Sequence, residues 1–261
     1  MFGKSCSIIG AVHIHALPGA AGYMGNMAEI IERALSDAIT YQKAGVDALV
    51  IENMHDVPYL KGYVEAETIA AMAVVASAIK RECHMPIGVQ ILAGANIEAL
   101  AVAHTSDLDF VRVEGFVFAH IGDEGIHEAS AAQILRKRAA IKAEKVKIFA
   151  DIKKKHSSHA ITEDISLIET ATTAEFFKAD GVIVTGMRTG DAPPPSAVGE
   201  VKAAVKIPVL VGSGVTPDNI AAFAQYADAV IFGTYAKFDG NWINDVDSER
   251  VKRLVAAAHN H

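Results

Sequence analysis

At 261 residues, with 51% hydrophobic and 21% charged side chains, the chain is close to the roughly 250 residues of one α/β barrel and has material for a large core. Its formal net charge of −7 excludes the basic excess that general affinity for nucleic acid or an anionic membrane requires. Two cysteines, Cys6 and Cys83, make neither a disulfide framework nor a metal-ligand spacing, so a reducing, cytoplasmic setting is expected.

The chain opens with Lys4 and the apolar stretch Ile8 to Leu17, which has the outline of a signal peptide. His13 and His15 interrupt it, however, and it is needed as a first strand. Short, nearly continuous apolar runs then recur along the sequence, each followed by a helical stretch. Runs without polar alternation mark strands buried on both faces, as in parallel sheets. In chain order the strands are Ser7–His13, Asp47–Glu52, Pro86–Leu92, Asp109–Glu114, Lys147–Ile152, Gly181–Thr185, Pro208–Gly212 and Ala229–Gly233. Apolar positions three and four apart predict helices over Ala28–Lys43, Glu65–Arg81, Ile126–Glu144, Ile161–Lys178, Pro217–Gln225 and Asp247–Ala258. Pro193-Pro194-Pro195 reads as a stiff loop, and no apolar run reaches the roughly 18 residues of a membrane span. No linker or internal repeat is evident. The expectation is an α/β fold, one closed parallel (β/α)8 TIM barrel over residues 1–261. An open doubly wound sheet is disfavoured because the first βα turn lacks the GxGxxG fingerprint.

Barrels carry their functional groups at the C-terminal strand ends. Polar residues collect there: His13 and His15, Glu52 and Asn53, Gln90, Arg112 and Glu114, Asp151 and Lys153, Thr185, Ser213 and Thr234. Apolar stems behind them offer no partner lower in the strand, so these groups are expected to share one wet cavity. Gly212-Ser213-Gly214, followed by Pro217 at a helix start, and Gly233-Thr234 lie in the loops after strands seven and eight, where barrels commonly hold a substrate phosphate. Thr185-Gly186 opens a further glycine-rich loop, a weaker pattern that could contact substrate or act as a plain lid. The run Asp151 to His159 leaves strand five; a lysine there crowded by cations can serve as base or nucleophile, whereas Lys154 reads equally as a solvated turn. His13, His15, Glu52, Asp151 and His156 are the candidates for a divalent metal, which the sequence leaves open without a local signature; no other cofactor is expected.

These blocks together resemble the BtpA/SgcQ-like family of ribulose-phosphate-binding-type barrels, over nearly the whole chain. The resemblance runs through Ile9–His13 with Leu17-Pro18-Gly19, Glu52–Pro58, Phe110–Val113, Ala150-Asp151-Ile152, Lys155-His156, Val184–Gly186 with Thr189-Gly190, Val209–Pro217, and Gly233-Thr234 with Lys237, Asp239 and Gly240. It departs after strand three, where Gln90 to Ala95 replaces the family's Asn and polar run, and at Glu114-Gly115, where the family carries Asn. The family implies either a sugar-linked role or, in another branch, assembly of photosystem I.

The resulting expectation is an enzyme acting on a phosphorylated sugar or related small metabolite by isomerase, epimerase or lyase-type acid–base chemistry. Glu52, Asp151, Lys155 and His156 would move protons, and Arg112 would steady an anionic intermediate. Gly212, Ser213, Gly214, Gly233 and Thr234 would hold phosphate, with His13, Asn53, Gln90, Glu114, Thr185 and Gly186 contacting substrate. The alternatives are a non-catalytic assembly factor and a metal-dependent hydrolase. A homo-oligomer is left open.

Overall fold

A computed structural model describes residues 6–259; Lys4 lies outside them. Strands β1 (Ser7–His13), β2 (Ala48–Glu52), β3 (Ile87–Gln90), β4 (Phe110–Val113), β5 (Lys147–Ile152), β6 (Gly181–Val184), β7 (Val209–Val211) and β8 (Ala229–Phe232) close into a parallel barrel, each beside the next and β8 beside β1. Helices α1 (Met27–Ala44), α2 (Ala66–Glu82), α3 (Asn96–Thr105), α4 (Ala131–Ala140), α5 (Leu167–Phe176), α6 (Pro195–Ala204), α7 (Ile220–Ala224) and α8 (Ser248–His259) follow the strands in turn.

Two apolar cores result from strand alternation. Inside the barrel, Ile9, Ala11, Ala48, Val50, Phe110, Phe149, Ile183, Leu210, Ala229 and Ile231 pack on one another. The opposite faces, including Ile8, Val12, Leu49, Ile51, Val111 and Ile148, pack against the helices. The same alternation carried one step further points the next inward layer at the mouth: His13, Glu52, Gln90, Arg112, Asp151, Thr185, Gly212 and Gly233.

The opposite end has its own repeating device. Asp47, Asp109, Asp180 and Asp228 stand just before β2, β4, β6 and β8. Each carboxylate accepts a backbone N–H from the first or second residue of the preceding strand, from Ile8 (2.7 Å), Ile87 (2.9 Å), Ile148 (3.0 Å) and Val209 (2.7 Å). Lys80, Arg138 and Lys202 neutralise three of the four.

Several sequence expectations need correction. Ile126 begins no helix: His120–Gly122 and Gly125–His127 form an antiparallel hairpin, and α4 starts only at Ala131. Gly125 turns that hairpin at φ +111°, a conformation open to glycine. Ser157–Ser158 adds a third strand, giving a small sheet built from the loops after β4 and β5. The helix expected from Ile161 starts at Leu167, where Ser166 and Glu169 form a capping box. Pro195 is not loop but the first residue of α6. Pro217 likewise precedes its helix by three residues, because Asn219 folds the loop by accepting from Thr216 N–H (2.8 Å) and donating to the Gly214 carbonyl (2.8 Å). The five-residue α7 that follows supplies no long dipole to the mouth, so the expected helix contribution to anion binding falls away.

Candidate active site

Arg112 sits at the centre of the mouth, on β4, with 5% of its surface exposed. Its Nε and Nη2 donate to both oxygens of Asp151 at 2.8 and 3.0 Å, and its Nη1 donates to Glu52 Oε1 at 3.2 Å. The bidentate grip ties β4 to β5, and the third donor ties both to β2. Asp151, expected to act as a proton carrier, is instead outside the cavity wall, with both oxygens engaged as the guanidinium's anchor. Its cation is Arg112 and not the neighbouring lysines. With three donors engaged, Arg112 is a fixed charge in the wall. The two carboxylates raise its already high pKa further against the cost of burial.

Glu52 keeps its second oxygen free of Arg112, 4.0 Å from His13 Nε2. Burial and the Lys237 cation hold the His13 pKa well below the usual range, so its ring is neutral. The Nδ1 of that ring lies 3.4 Å from the Trp242 carbonyl, which can only accept, so the proton belongs on Nδ1 and the Nε2 lone pair faces Glu52. A substrate hydroxyl or a single proton placed between Nε2 and Oε2 satisfies both.

Glu52, His13, Arg112 and Lys155 line a cavity of about 220 Å³ together with Gly212 to Thr216 and Gly233 to Tyr235. The backbone N–H groups of Gly214, Val215, Gly233 and Thr234 donate in none of the protein's hydrogen bonds among the described residues. Unpaired N–H groups converging on one cavity accept an oxyanion. Gly212 differs: its N–H is held by the Val184 carbonyl at 2.9 Å. The Ser213 hydroxyl is also engaged, donating to the Asp191 carbonyl (2.7 Å) and accepting from Gly186 N–H (3.2 Å). Glycine is needed for space at all three glycine positions, a Cβ on Gly212 standing 2.5 Å from Ile183 Cγ2. A Cβ on Gly233 would stand 2.6 Å from His13 Nε2, and one on Gly214, at φ +68°, would stand 2.2 Å from the Ala192 nitrogen.

Other candidates are structural supports. Asn53 is fully buried, its amide donating to Asp56 (2.8 Å) and its carbonyl oxygen accepting from Leu92 N–H (2.7 Å). Thr185 Oγ1 accepts from Lys155 N–H at 3.1 Å and so orients the lysine backbone. Gln90 is buried at the end of β3, outside the cavity wall. Glu114 pairs with Lys154 at 3.4 Å; that lysine, for which a solvated turn is one of two readings of the sequence, is 7% exposed. His156 points outward, bridging Thr189 Oγ1 at 2.8 Å, and leaves the proton-transfer set. His15 stacks on His55 at 4.8 Å and does not line the mouth cavity. The metal candidates therefore do not converge, and no group of three or more His, Cys, Asp or Glu side chains among the described residues is arranged to hold an ion.

Arg250 is the residue that strand-end reasoning missed. It comes from α8, lies over the Tyr235 ring at 4.4 Å, donates from Nε to the Tyr235 carbonyl at 2.6 Å, and lines the cavity beside Thr234. Its place in the first turn of the helix following strand eight is the signal that would have found it.

A (β/α)8 barrel with a polar cavity at the carboxyl ends of its strands is the class that this fold and site define. Within it the chain belongs to the BtpA family, whose model matches residues 4–260. It is 43% identical over 253 residues to an uncharacterised protein of Caenorhabditis elegans named as mitochondrial, covering 95% of this chain and 91% of that one. It is 32% identical over 251 residues to the photosystem I biogenesis protein BtpA of Synechocystis, covering 96% and 87%. Among solved structures it is similar to (S)-3-O-geranylgeranylglyceryl phosphate synthase from Thermoplasma acidophilum in complex with sn-glycerol-1-phosphate, at TM-score 0.63 and 17% identity over 99% and 95% of the chains. It is likewise similar to thiamine phosphate pyrophosphorylase from Pyrococcus furiosus, at TM-score 0.61 and 12% identity over 98% and 96%. At these identities the structural likeness speaks for the fold alone.

Proposed function

We propose that the protein is an enzyme acting on a phosphorylated sugar or related small metabolite, by proton transfer next to a carbonyl. One observation carries this reading: a single cavity is lined both by unpaired backbone N–H groups and by Glu52, His13 and Lys155. The phosphoryl group sits against Gly214, Val215, Gly233 and Thr234, with Arg250 supplying countercharge. Gly212 shapes the site without donating, and Ser213 offers its backbone N–H while its hydroxyl stays engaged.

Anchoring the phosphate places the reacting carbons over Glu52, the one cavity-lining carboxylate with an oxygen left outside the Arg112 grip. Glu52 takes and returns the proton, the neutral His13 ring shares it, and the fixed charge of Arg112 offsets the negative charge that develops on the substrate oxygen. The sn-glycerol-1-phosphate complex of the similar synthase supports a phosphoester in a barrel of this shape. No helix among the described residues is long and apolar enough to cross a membrane. We place the enzyme in a reducing, cytoplasmic setting from its cysteine usage, with the alternative of an organelle suggested by the worm relative's name.

A thermal-shift screen of sugar phosphates tests the reading. A true ligand at 100 times its dissociation constant adds about 2.7 kcal/mol of stability, and the matching unphosphorylated sugars add none. Equal shifts from both members of each pair contradict a phosphate site.

A second reading, a scaffold for another protein, draws on one feature away from the mouth. Phe176 is 76% exposed and Phe177 42%, edge-on to one another beside Leu135. On that reading the mouth is dispensable.

A further inference from the structure

Three other lysines are drawn into the top of the barrel, and each has a partner for its ammonium. Lys153 donates to the Thr162 carbonyl at 2.8 Å, Lys154 pairs with Glu114, and Lys237 donates to Asp37 at 2.8 Å. Lys155 has none: no hydrogen bond or ion pair reaches its Nζ among the described residues, although it lines the mouth cavity with Glu52 and Arg112. Its backbone is nevertheless fixed, by Thr185. An amine that the fold positions and leaves unpaired in a ligand-sized cavity is free to act on what enters.

We propose that Lys155 is a nucleophile that condenses with the keto or aldehyde carbon of the substrate to form a Schiff base. The proposal rests on the phosphate-ester reading above for how the substrate is anchored, and it narrows the substrate class to phosphorylated carbonyl compounds. The Nζ lone pair attacks the carbonyl carbon, forming an N–C bond as the C–O π pair moves to oxygen. Proton transfer from nitrogen to that oxygen, with Glu52 as carrier, gives a carbinolamine. A second proton, taken from solvent through Glu52, lets the hydroxyl leave as water, and the cationic imine remains. A C–H bond on the adjacent carbon then breaks with its proton passing to Glu52, or a C–C bond breaks with the departing fragment leaving as a carbonyl compound whose hydroxyl proton passes to Glu52. In either case the electron pair moves through the imine to nitrogen, and return of a proton to the enamine carbon restores the imine. No oxidant or reductant is consumed, and hydrolysis returns the amine.

The electrostatics agree with the geometry. Burial first, and the Arg112 cation second, lower the Lys155 pKa, while Glu52, Asp151 and Glu114 oppose them. The neutral, reactive form of the amine is thereby enriched. Arg112 cannot be neutralised in response, because Asp151 and Glu52 hold it charged.

The test uses the full chain with dihydroxyacetone phosphate and glyceraldehyde 3-phosphate as probes, reduced with borohydride and mapped by peptide mass spectrometry. A stable adduct is expected on Lys155, exceeding that on any surface lysine by about tenfold or more, because the neutral amine is the reacting form. Unphosphorylated dihydroxyacetone labels it far less, and inorganic phosphate protects it. In Lys155→Arg, which keeps the charge but forms no imine under these conditions, the adduct vanishes while the thermal shift with phosphate persists. Label spread evenly over surface lysines, or absent from Lys155 while phosphate still stabilises the protein, overturns the Schiff base alone. Label on Lys155 from both ketones equally, with no protection by phosphate, overturns the phosphate reading and leaves the nucleophile standing.

Discussion

Glu52 and Asp151 lie on neighbouring sides of one guanidinium, yet their surroundings give them different work. Asp151 gives both oxygens to Arg112, whereas Glu52 gives one and turns the other toward His13. Only the second arrangement leaves a basic atom facing the cavity. Glu52→Gln keeps the size and the contact to Arg112 but removes the base. Turnover on an identified substrate is expected to fall about 100-fold to 10,000-fold, with phosphate binding and melting temperature close to those of the parent. Unchanged turnover at unchanged melting temperature would remove Glu52 from the mechanism and favour the scaffold reading.

At the scale of elements, the three-stranded sheet over the mouth is joined to the loop after β6 by one histidine. The His156 Nε2 accepts from Thr189 N–H at 3.1 Å, while its Nδ1 lies 3.9 Å from Asp123 in the hairpin. His156→Ala is expected to speed hydrogen exchange at Thr189 and its neighbours, with little change in global stability, since the ring is exposed and the contacts are few. Unchanged exchange there would mean that the loop holds itself. The strands themselves were legible in the sequence because each is an uninterrupted apolar run, and alternation along those runs places His13, Glu52, Arg112 and Asp151 in one layer. The hairpin was not legible: Gly125 is an ordinary glycine until its positive φ is seen, and Ile126 and Ile134 fit a helical spacing by coincidence. Lys154 misled because a basic run looks solvated; its partner Glu114 lies 40 positions earlier, brought near only by strand pairing. The recurring Asp before every even-numbered strand was visible as single letters, but its meaning needs the preceding strand's N–H.

Across the whole molecule, burial and nearby cations hold a set of histidines neutral. His13, His15, His156 and His159 all have lowered pKa values, His55 falls to about 4 and His120 to about 3, with desolvation the largest cause in each. The unfolded chain takes up these protons near the ordinary histidine value of about 6.5, before the folded one does. Between the two values the unfolded state binds more protons, so stability is full above about 6.5 and is lost as the pH falls toward 3. The buried rings of His13 and His120 each steepen the loss by up to about 1.4 kcal/mol per pH unit, and solvent screening makes the more exposed rings count for less. Melting temperature is therefore expected to decline steadily from pH 6.5 to 4, ahead of carboxylate protonation; a flat profile down to pH 4.5 would contradict the neutrality of these rings.

On the proposed reading the mouth takes an anion, because β7 lies beside β8 and the loops that follow them bring their unpaired N–H groups together. Titrating inorganic phosphate while following backbone amide resonances by NMR tests this most directly. Saturable shifts are predicted at Gly214, Val215, Gly233 and Thr234 at millimolar phosphate or below, with Gly212 moving less because its N–H is bound to Val184. If those four amides stay still, or move no more than exposed surface amides do, the cavity is not a phosphate site and the proposed substrate class is wrong.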